Sequence, residues 1–225
     1  MNDVYDSQTI EVMKRALRFD SNCIDVGSHK GNILQAILTI APSGIHYAFE
    51  PIPDLFEKLK ASFPSVSVQN IALSNVEGDA PFQHVTSSPS YSGLRTRRYE
   101  SETEAVEQIT VKTACLDTIL PHDFRIDFLK IDVEGGELQV LQGGLETISR
   151  SRPLIVLEHG LGAADYYGTR PEMVYDLLTV DCGLSVFLMG SWLQGKGSLT
   201  RPEFVRQFEA GENYYFMAFA SDRRI

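Results

Sequence analysis

The chain has 225 residues, of which 43% are hydrophobic and 22% charged, a globular balance with enough apolar material for a sizeable core. Its formal net charge of -10 argues against a nucleic-acid backbone or an anionic membrane surface as the main partner, because both demand a basic footprint. Cys23, Cys115 and Cys182 are too few and too widely spaced for a disulfide framework or a zinc knuckle, the N-terminus has no signal-peptide pattern, and the longest late apolar run, Tyr214 to Ala220, is too short to span a bilayer; the expectation is a reduced, cytoplasmic chain.

Ile10, Met13 and Leu17 fall at helical spacing and predict a first helix. A short apolar run, Cys23 to Val26, reads as a strand, and Ile33, Leu34, Ile37 and Leu38 give the helix after it. Tyr47 to Phe49 is a second strand ending at Glu50-Pro51, followed by a helix from about Asp54 to Ala61 that Pro53 is placed to start. A third short strand, Val66 to Val68, runs into Asn70-Ile71-Ala72-Leu73. Two β-like stretches, Ala80 to Val85 and Ile109 to Thr113, flank a polar segment rich in Ser, Arg and Glu. Phe128 to Asp132 is a strand, Glu137 to Ser149 a helix and Leu154 to Leu157 a further buried strand. The chain closes with a helix near Pro171 to Thr179 and strands near Leu184 to Met189 and Tyr214 to Ala220. Alternating short strands and helices predict an α/β fold with a mostly parallel sheet covered on both faces, and ligands in such sheets bind at the carboxyl ends of the strands.

Chemistry-bearing residues collect at those ends. Asp25-Val26-Gly27-Ser28-His29-Lys30-Gly31-Asn32 follows the first strand: Gly27 permits a sharp turn and close ligand approach, Gly31 permits close helix–strand packing, and the helix N-terminus beyond offers N–H groups to an anion. Glu50, 23 residues after Gly27, stands where a carboxylate accepts both ribose hydroxyls of an adenosine. These features fit both NAD and S-adenosylmethionine (SAM), although the missing third glycine of the dinucleotide fingerprint counts against NAD. Asp132 and Glu134, two apart in an extended segment, leave the fourth strand on one face; Glu137 belongs to a helix N-terminus, where a negative charge is worth about 0.3–1 kcal/mol. Glu158 and His159 follow the next strand and are expected at the same mouth.

These residues resemble the FkbM family of SAM-dependent methyltransferases. The resemblance runs from about Cys23 to His159 and rests on Asp25 to Gly31, Phe49-Glu50-Pro51, Asn70 to Ser74, Leu116-Asp117 and, most specifically, Leu129-Lys130-Ile131-Asp132-Val133-Glu134-Gly135-Gly136-Glu137. It implies a class I, Rossmann-like sheet of seven strands with the last antiparallel, in one domain over residues 1–225. It also implies that Asp25, Gly27, Ser28, Gly31 and Asn32 hold the methionine part of SAM, that Glu50 and Pro51 hold the ribose, that Asn70 and Ala72 lie near the adenine, and that Asp132 sits close to the sulfonium. The implied reaction is O-methylation of a small acceptor, with a sugar hydroxyl first among acceptors and a peptide, another non-sugar acceptor or a non-catalytic SAM-binding role as alternatives.

A hydroxyl acceptor needs a base, and His159 is the first candidate, with Asp132 and Glu134 next. The same carboxylates, Asp132, Glu134 and Glu158, are candidate ligands for a divalent cation, for which oxygen-rich ligation favours Mg²⁺. The segment 86–108 is a candidate flap carrying Tyr91, Ser92 and Arg95 to the acceptor; its plain alternative is a solvated connection whose arginines pair with Glu100, Glu102 and Glu104. Residues 160–167 and 190–197 are further candidate lids, the latter containing Trp192, a residue type that more often packs than binds sugar.

Overall fold

A computed structural model describes residues 2–99, 101 and 103–221. In chain order the helices are α1 (Asn2–Ala16), α2 (Asn32–Ile40), α3 (Pro53–Ser62), α4 (Leu116–Ile119), α5 (Glu137–Gly143), α6 (Leu145–Ser151), α7 (Pro171–Asp176), α8 (Met189–Leu193) and α9 (Arg201–Ala210). The strands are β1 (Cys23–Val26), β2 (His46–Phe49), β3 (Ser67–Gln69), β4 (Ala72–Leu73), β5 (Gly78–Val85), β6 (Val106–Ala114), β7 (Phe128–Ile131), β8 (Leu154–Glu158), β9 (Ser185–Phe187) and β10 (Tyr215–Phe219).

Seven strands form one sheet in the order β3-β2-β1-β7-β8-β10-β9, with β10 antiparallel to both neighbours. This is the mostly parallel sheet the sequence predicts, its last strand inserted next to the edge. β1 and β7 are buried along their whole length, as expected for central parallel strands covered on both faces. Two of their residues break that apolar rule, Asp25 and Lys130, and both lie at the same end of the sheet.

One face is covered by α1 and α2, where Val12, Met13, Leu34 and Ile37 pack against Phe128, Val156 and Met217. The other face buries Leu138, Leu141, Leu178 and Phe204 against Leu129, Ile155 and Phe216. The β-like stretches around the polar segment do not join this sheet. They pair with each other as β5 and β6 and, with β4, form a separate sheet in the order β4-β6-β5. Three helical stretches differ from expectation: the helix after β7 is split at Gly143-Gly144 into α5 and α6, α7 continues in a π turn over Leu177–Asp181, and Met189 opens α8 rather than closing β9. α9 is started by a capping box, in which Thr200 and Glu203 satisfy each other's backbone N–H groups.

Candidate functional site

The first turn is built around the amide of Gly27, which donates to the Phe49 carbonyl at 3.0 Å, and the Ser28 hydroxyl, which donates to the Asp25 carbonyl at 2.9 Å. Gly27 has φ +75, and a Cβ there would lie 1.9 Å from the Asp132 carbonyl oxygen, so only glycine lets β1 and β7 approach this closely. Gly31 also has positive φ, but the space it preserves lies against Leu59 and Phe63 of the α3 region. The expected helix–strand contact is therefore a helix–helix one. No side chain caps α2, and Asn32, its first residue, lines a cavity above the turn.

Glu50 is 3% exposed and held from both sides. Its Oε2 accepts the His29 amide at 2.8 Å and its Oε1 the Ile52 amide at 2.9 Å. Burial raises its pKa to about 7 against the lowering effect of these two donors. Asn70 does not reach the cavity; its side-chain amide donates to the carbonyls of Glu50 and Pro51 at 2.9 and 3.0 Å, so it fixes the turn that presents Glu50. Pro51, Ile71, Ala72 and Leu73 supply the apolar wall beside it.

At the end of β7 an ammonium sits between carboxylates. Lys130 Nζ donates to the Gly27 carbonyl at 2.9 Å and lies 3.2 Å from Asp132 Oδ2 and 3.5 Å from Asp25 Oδ1. Burial alone would depress the Lys130 pKa, but Asp132 and Asp25 override it and raise it. Burial pushes Asp132 up, yet Lys130 and the Tyr215 hydroxyl, which donates to Oδ2 at 2.8 Å, bring it below the usual carboxylate range. Asp25, wholly buried and only weakly compensated, is pushed up. Glu134 follows with φ +61, an αL conformation that costs about 1–3 kcal/mol for a non-glycine residue. It forms an ion pair with Arg97. Glu137 is the internal brace of this turn: its Oε1 accepts the amides of Val133 and Gly135 at 3.1 and 3.0 Å.

Ligand atoms of Asp132, Glu134 and Glu158 lie within 4.8 Å of one another, the convergence expected of a cation site. Two of the three charges are already answered within the protein. Asp132 carries Lys130 and Tyr215, Glu134 carries Arg97, and Glu158 is raised well above the ordinary Glu value, first by burial and then by Asp132 and Glu137. With two of its three members already paired, the set does not fit a divalent cation.

The cavity over these strand ends measures about 310 Å³, within the small-molecule range, and is lined by Asp25, Gly27, Ser28, His29, Glu50 and Asp132 among others. Its roof comes from the segment between β5 and β6, through Pro89, Ser90, Ser92 and Leu94, and from Tyr167. Four residues of the candidate flap thus line the cavity, and of Tyr91, Ser92 and Arg95 only Ser92 is among them. Ser92 lines the cavity, its hydroxyl accepting the Val85 amide at 2.9 Å. Tyr91 instead lies under the Arg97 guanidinium, 5.0 Å from ring centroid to Cζ. Arg95 is bound to the 160–167 segment: its amide donates to the Tyr167 hydroxyl, and its guanidinium stands 5.5 Å over the Tyr167 ring. With Arg98 donating its amide to the Gly162 carbonyl at 2.8 Å, flap and lid are stitched together. Glu104 accepts hydrogen bonds from Ser87 and Ser88, while Glu100 and Glu102 lie outside the described residues.

Two expectations are corrected here. His159 does not face the cavity: it is 1% exposed and stacks between Phe208 and Phe204, with ring centroids 4.6 and 5.8 Å away. Burial alone lowers its pKa to about 3, so it is a neutral core residue and not a base. The 190–197 segment is no lid either, because Trp192 packs edge-on to Phe219 beneath Arg15 of α1.

A family model, the methyltransferase FkbM domain, matches residues 25–183, from the first turn to the end of α7 and its π turn. The chain belongs to the FkbM methyltransferase domain family. Its seven-stranded sheet, with β10 antiparallel to both neighbours, is of the class I type. Among solved structures it is similar to the methyltransferase FkbM from Methylobacillus flagellatus KT, with a TM-score of 0.56, 13% identity and coverage of 90% of this chain and 44% of that one. The chain thus spans less than half the length of that relative, and at this identity the likeness speaks for the fold alone. A TehB-like SAM-dependent methyltransferase from Corynebacterium glutamicum ATCC 13032 matches at a TM-score of 0.46, with 12% identity and coverage of 96% of this chain and 86% of that one. No curated protein matches the chain.

The FkbM domain's cavity also contains residues that the sequence did not single out. His29 has φ +47, lines the cavity with a buried Nε2 that has no hydrogen-bond partner, and has its pKa lowered first by burial and then by Lys30 and Lys130. Lys130 stood inside the matched motif but read as strand. Asp6 and Tyr215 reach the cavity from α1 and β10, both outside the matched residues.

Proposed function

We propose that this methyltransferase transfers the methyl group of SAM to a hydroxyl oxygen of a small, neutral, polar acceptor, a sugar first among them. The observation that carries the reading is the single cavity wall running from the Gly27 turn through Glu50 to Asp132, with polar roof residues Ser90 and Ser92 opposite. SAM suits this wall: Gly27 lines it, Glu50 keeps acceptor capacity beyond its two backbone donors, and Asp132 is an anion at the mouth.

SAM supplies a methyl group already activated on a sulfonium. In this reading Glu50 accepts the ribose hydroxyls, the turn at 27–32 receives the amino-acid end, and Ile71 to Leu73 cover the base. Asp132, fixed by Lys130 and Tyr215, is too well held to be a good base and faces the positive charge instead. Of the carboxylates that the sequence offers for this role, Glu134 remains: it lines the cavity beside its Arg97 partner, and accepting the acceptor proton is worth roughly 10²–10⁴-fold in rate. Roof and lid exclude water and orient the acceptor. A cavity lined by Asp6, Asp25, Glu50, Asp132 and Glu134 against Lys130 and Lys30 disfavours phosphorylated acceptors and, with the net charge of -10, nucleic acid.

The test is transfer of radiolabelled methyl from SAM to panels of methyl glycosides, peptides and RNA. Label in glycosides, lost in Glu134→Gln with retained SAM binding, supports the reading. Label in peptides or RNA alone would replace the acceptor class, and none in any panel from a SAM-binding protein would favour a non-catalytic role.

A further inference from the structure

Helix α1 lies outside the residues that define the family, yet it forms part of the cavity. Thr9, Val12 and Met13, all at most 2% exposed, anchor it to the sheet side of the core. One turn nearer its N-terminus, the Tyr5 ring stacks on Tyr215 with centroids 4.7 Å apart, and the Tyr5 hydroxyl accepts the Tyr214 amide at 3.3 Å. Tyr215 is the residue whose hydroxyl holds Asp132. The stack therefore locks α1 in register with the reactive end of the cavity, and it carries the next residue, Asp6, onto the cavity wall.

The charged groups of the cavity wall nearest α1 are Asp6, Asp25 and Asp132 with Lys130 and Lys30. A half-buried carboxylate on this wall attracts a cationic ligand group and is indifferent to a neutral one.

We propose that α1 completes the cofactor site and that Asp6 is a recognition residue for the cationic end of the cofactor, favouring a sulfonium ligand over its neutral thioether product. The inference rests on the SAM reading above and adds a residue and an element to it. Discrimination of this kind promotes product release after transfer, because the methylated donor and the demethylated product differ at this end by one positive charge.

The test is calorimetric titration of the full chain with SAM and with S-adenosylhomocysteine. Asp6→Asn should weaken SAM three- to tenfold and change S-adenosylhomocysteine less than twofold, so that their affinity ratio collapses. Glu11→Gln, on the same helix but paired at the surface with Arg15, should change neither. Parallel loss of both ligands in Asp6→Asn would mean a merely structural helix, and no change in either would remove Asp6 from the site; both results overturn the proposal. Wild-type protein that binds neither ligand would instead overturn the cofactor reading itself.

Discussion

The ammonium of Lys130 donates to the carbonyl of Gly27 at 2.9 Å, tying the turn after β1 to the strand that ends in Asp132. One buried cation thus fixes both halves of the cavity wall and also sets the charge of the carboxylates on either side. Removing one partner of such a buried cluster leaves the others uncompensated and costs about 3–5 kcal/mol. Lys130→Met is expected to lower unfolding free energy by that order and to weaken S-adenosylhomocysteine more than tenfold. Denaturant titration and calorimetry check the two effects separately, and a stable variant of full affinity would remove Lys130 from the site.

His159 supplies a pH signature of the core. Its folded pKa of about 3 lies below the unfolded value near 6.5, so its neutral form is the one the fold favours. Stability from this group is complete above pH 6.5 and is lost as pH falls toward 3. At pH 5 the loss is about 2 kcal/mol relative to neutral pH. His159→Leu should remove that part of the acid sensitivity while leaving cofactor affinity and methyl transfer intact, which unfolding curves at pH 7 and pH 5 would show.

Glu50 has the opposite shift. With its pKa raised to about 7, the ionised form that accepts ribose hydroxyls grows as pH rises from 6 to 8. S-adenosylhomocysteine affinity should rise up to about tenfold over that range. Glu50→Gln should flatten the dependence. Glu137, also raised to about 7, lies outside the cavity lining and should leave the slope in place when replaced by Gln.

Because Lys130 and Arg97 already answer the charges of Asp132 and Glu134, Mg²⁺ at millimolar concentration should leave the cofactor isotherm unchanged, as should EDTA. A tightened isotherm with Mg²⁺ would show that the cation displaces one of these partners.

The strand-end motifs made most of this site legible in the sequence, because a turn glycine, a carboxylate at the next strand end and an acidic turn each follow an apolar run. The failures have specific causes. Glu158 and His159 are adjacent, and consecutive residues of an extended chain point to opposite faces, so the step that carries Glu158 toward Asp132 carries His159 into the core. What receives it is Phe204 and Phe208, four apart on α9, a helix whose only strong sequence mark is the capping pair Thr200 and Glu203. Lys130 is masked by its apolar strand, whose pattern says nothing of the neighbouring carbonyl. Asp6 and Tyr215 reach the cavity from the two ends of the chain, a proximity that only the packing of α1 on β10 creates.

The central claim is a SAM site anchored by Glu50, and calorimetric titration of wild type and Glu50→Ala with SAM and S-adenosylhomocysteine tests it most directly. The account predicts saturable binding of both ligands by the wild type and at least a tenfold loss in the folded variant. Absence of binding to the folded wild type, or equal affinity in Glu50→Ala, would contradict it.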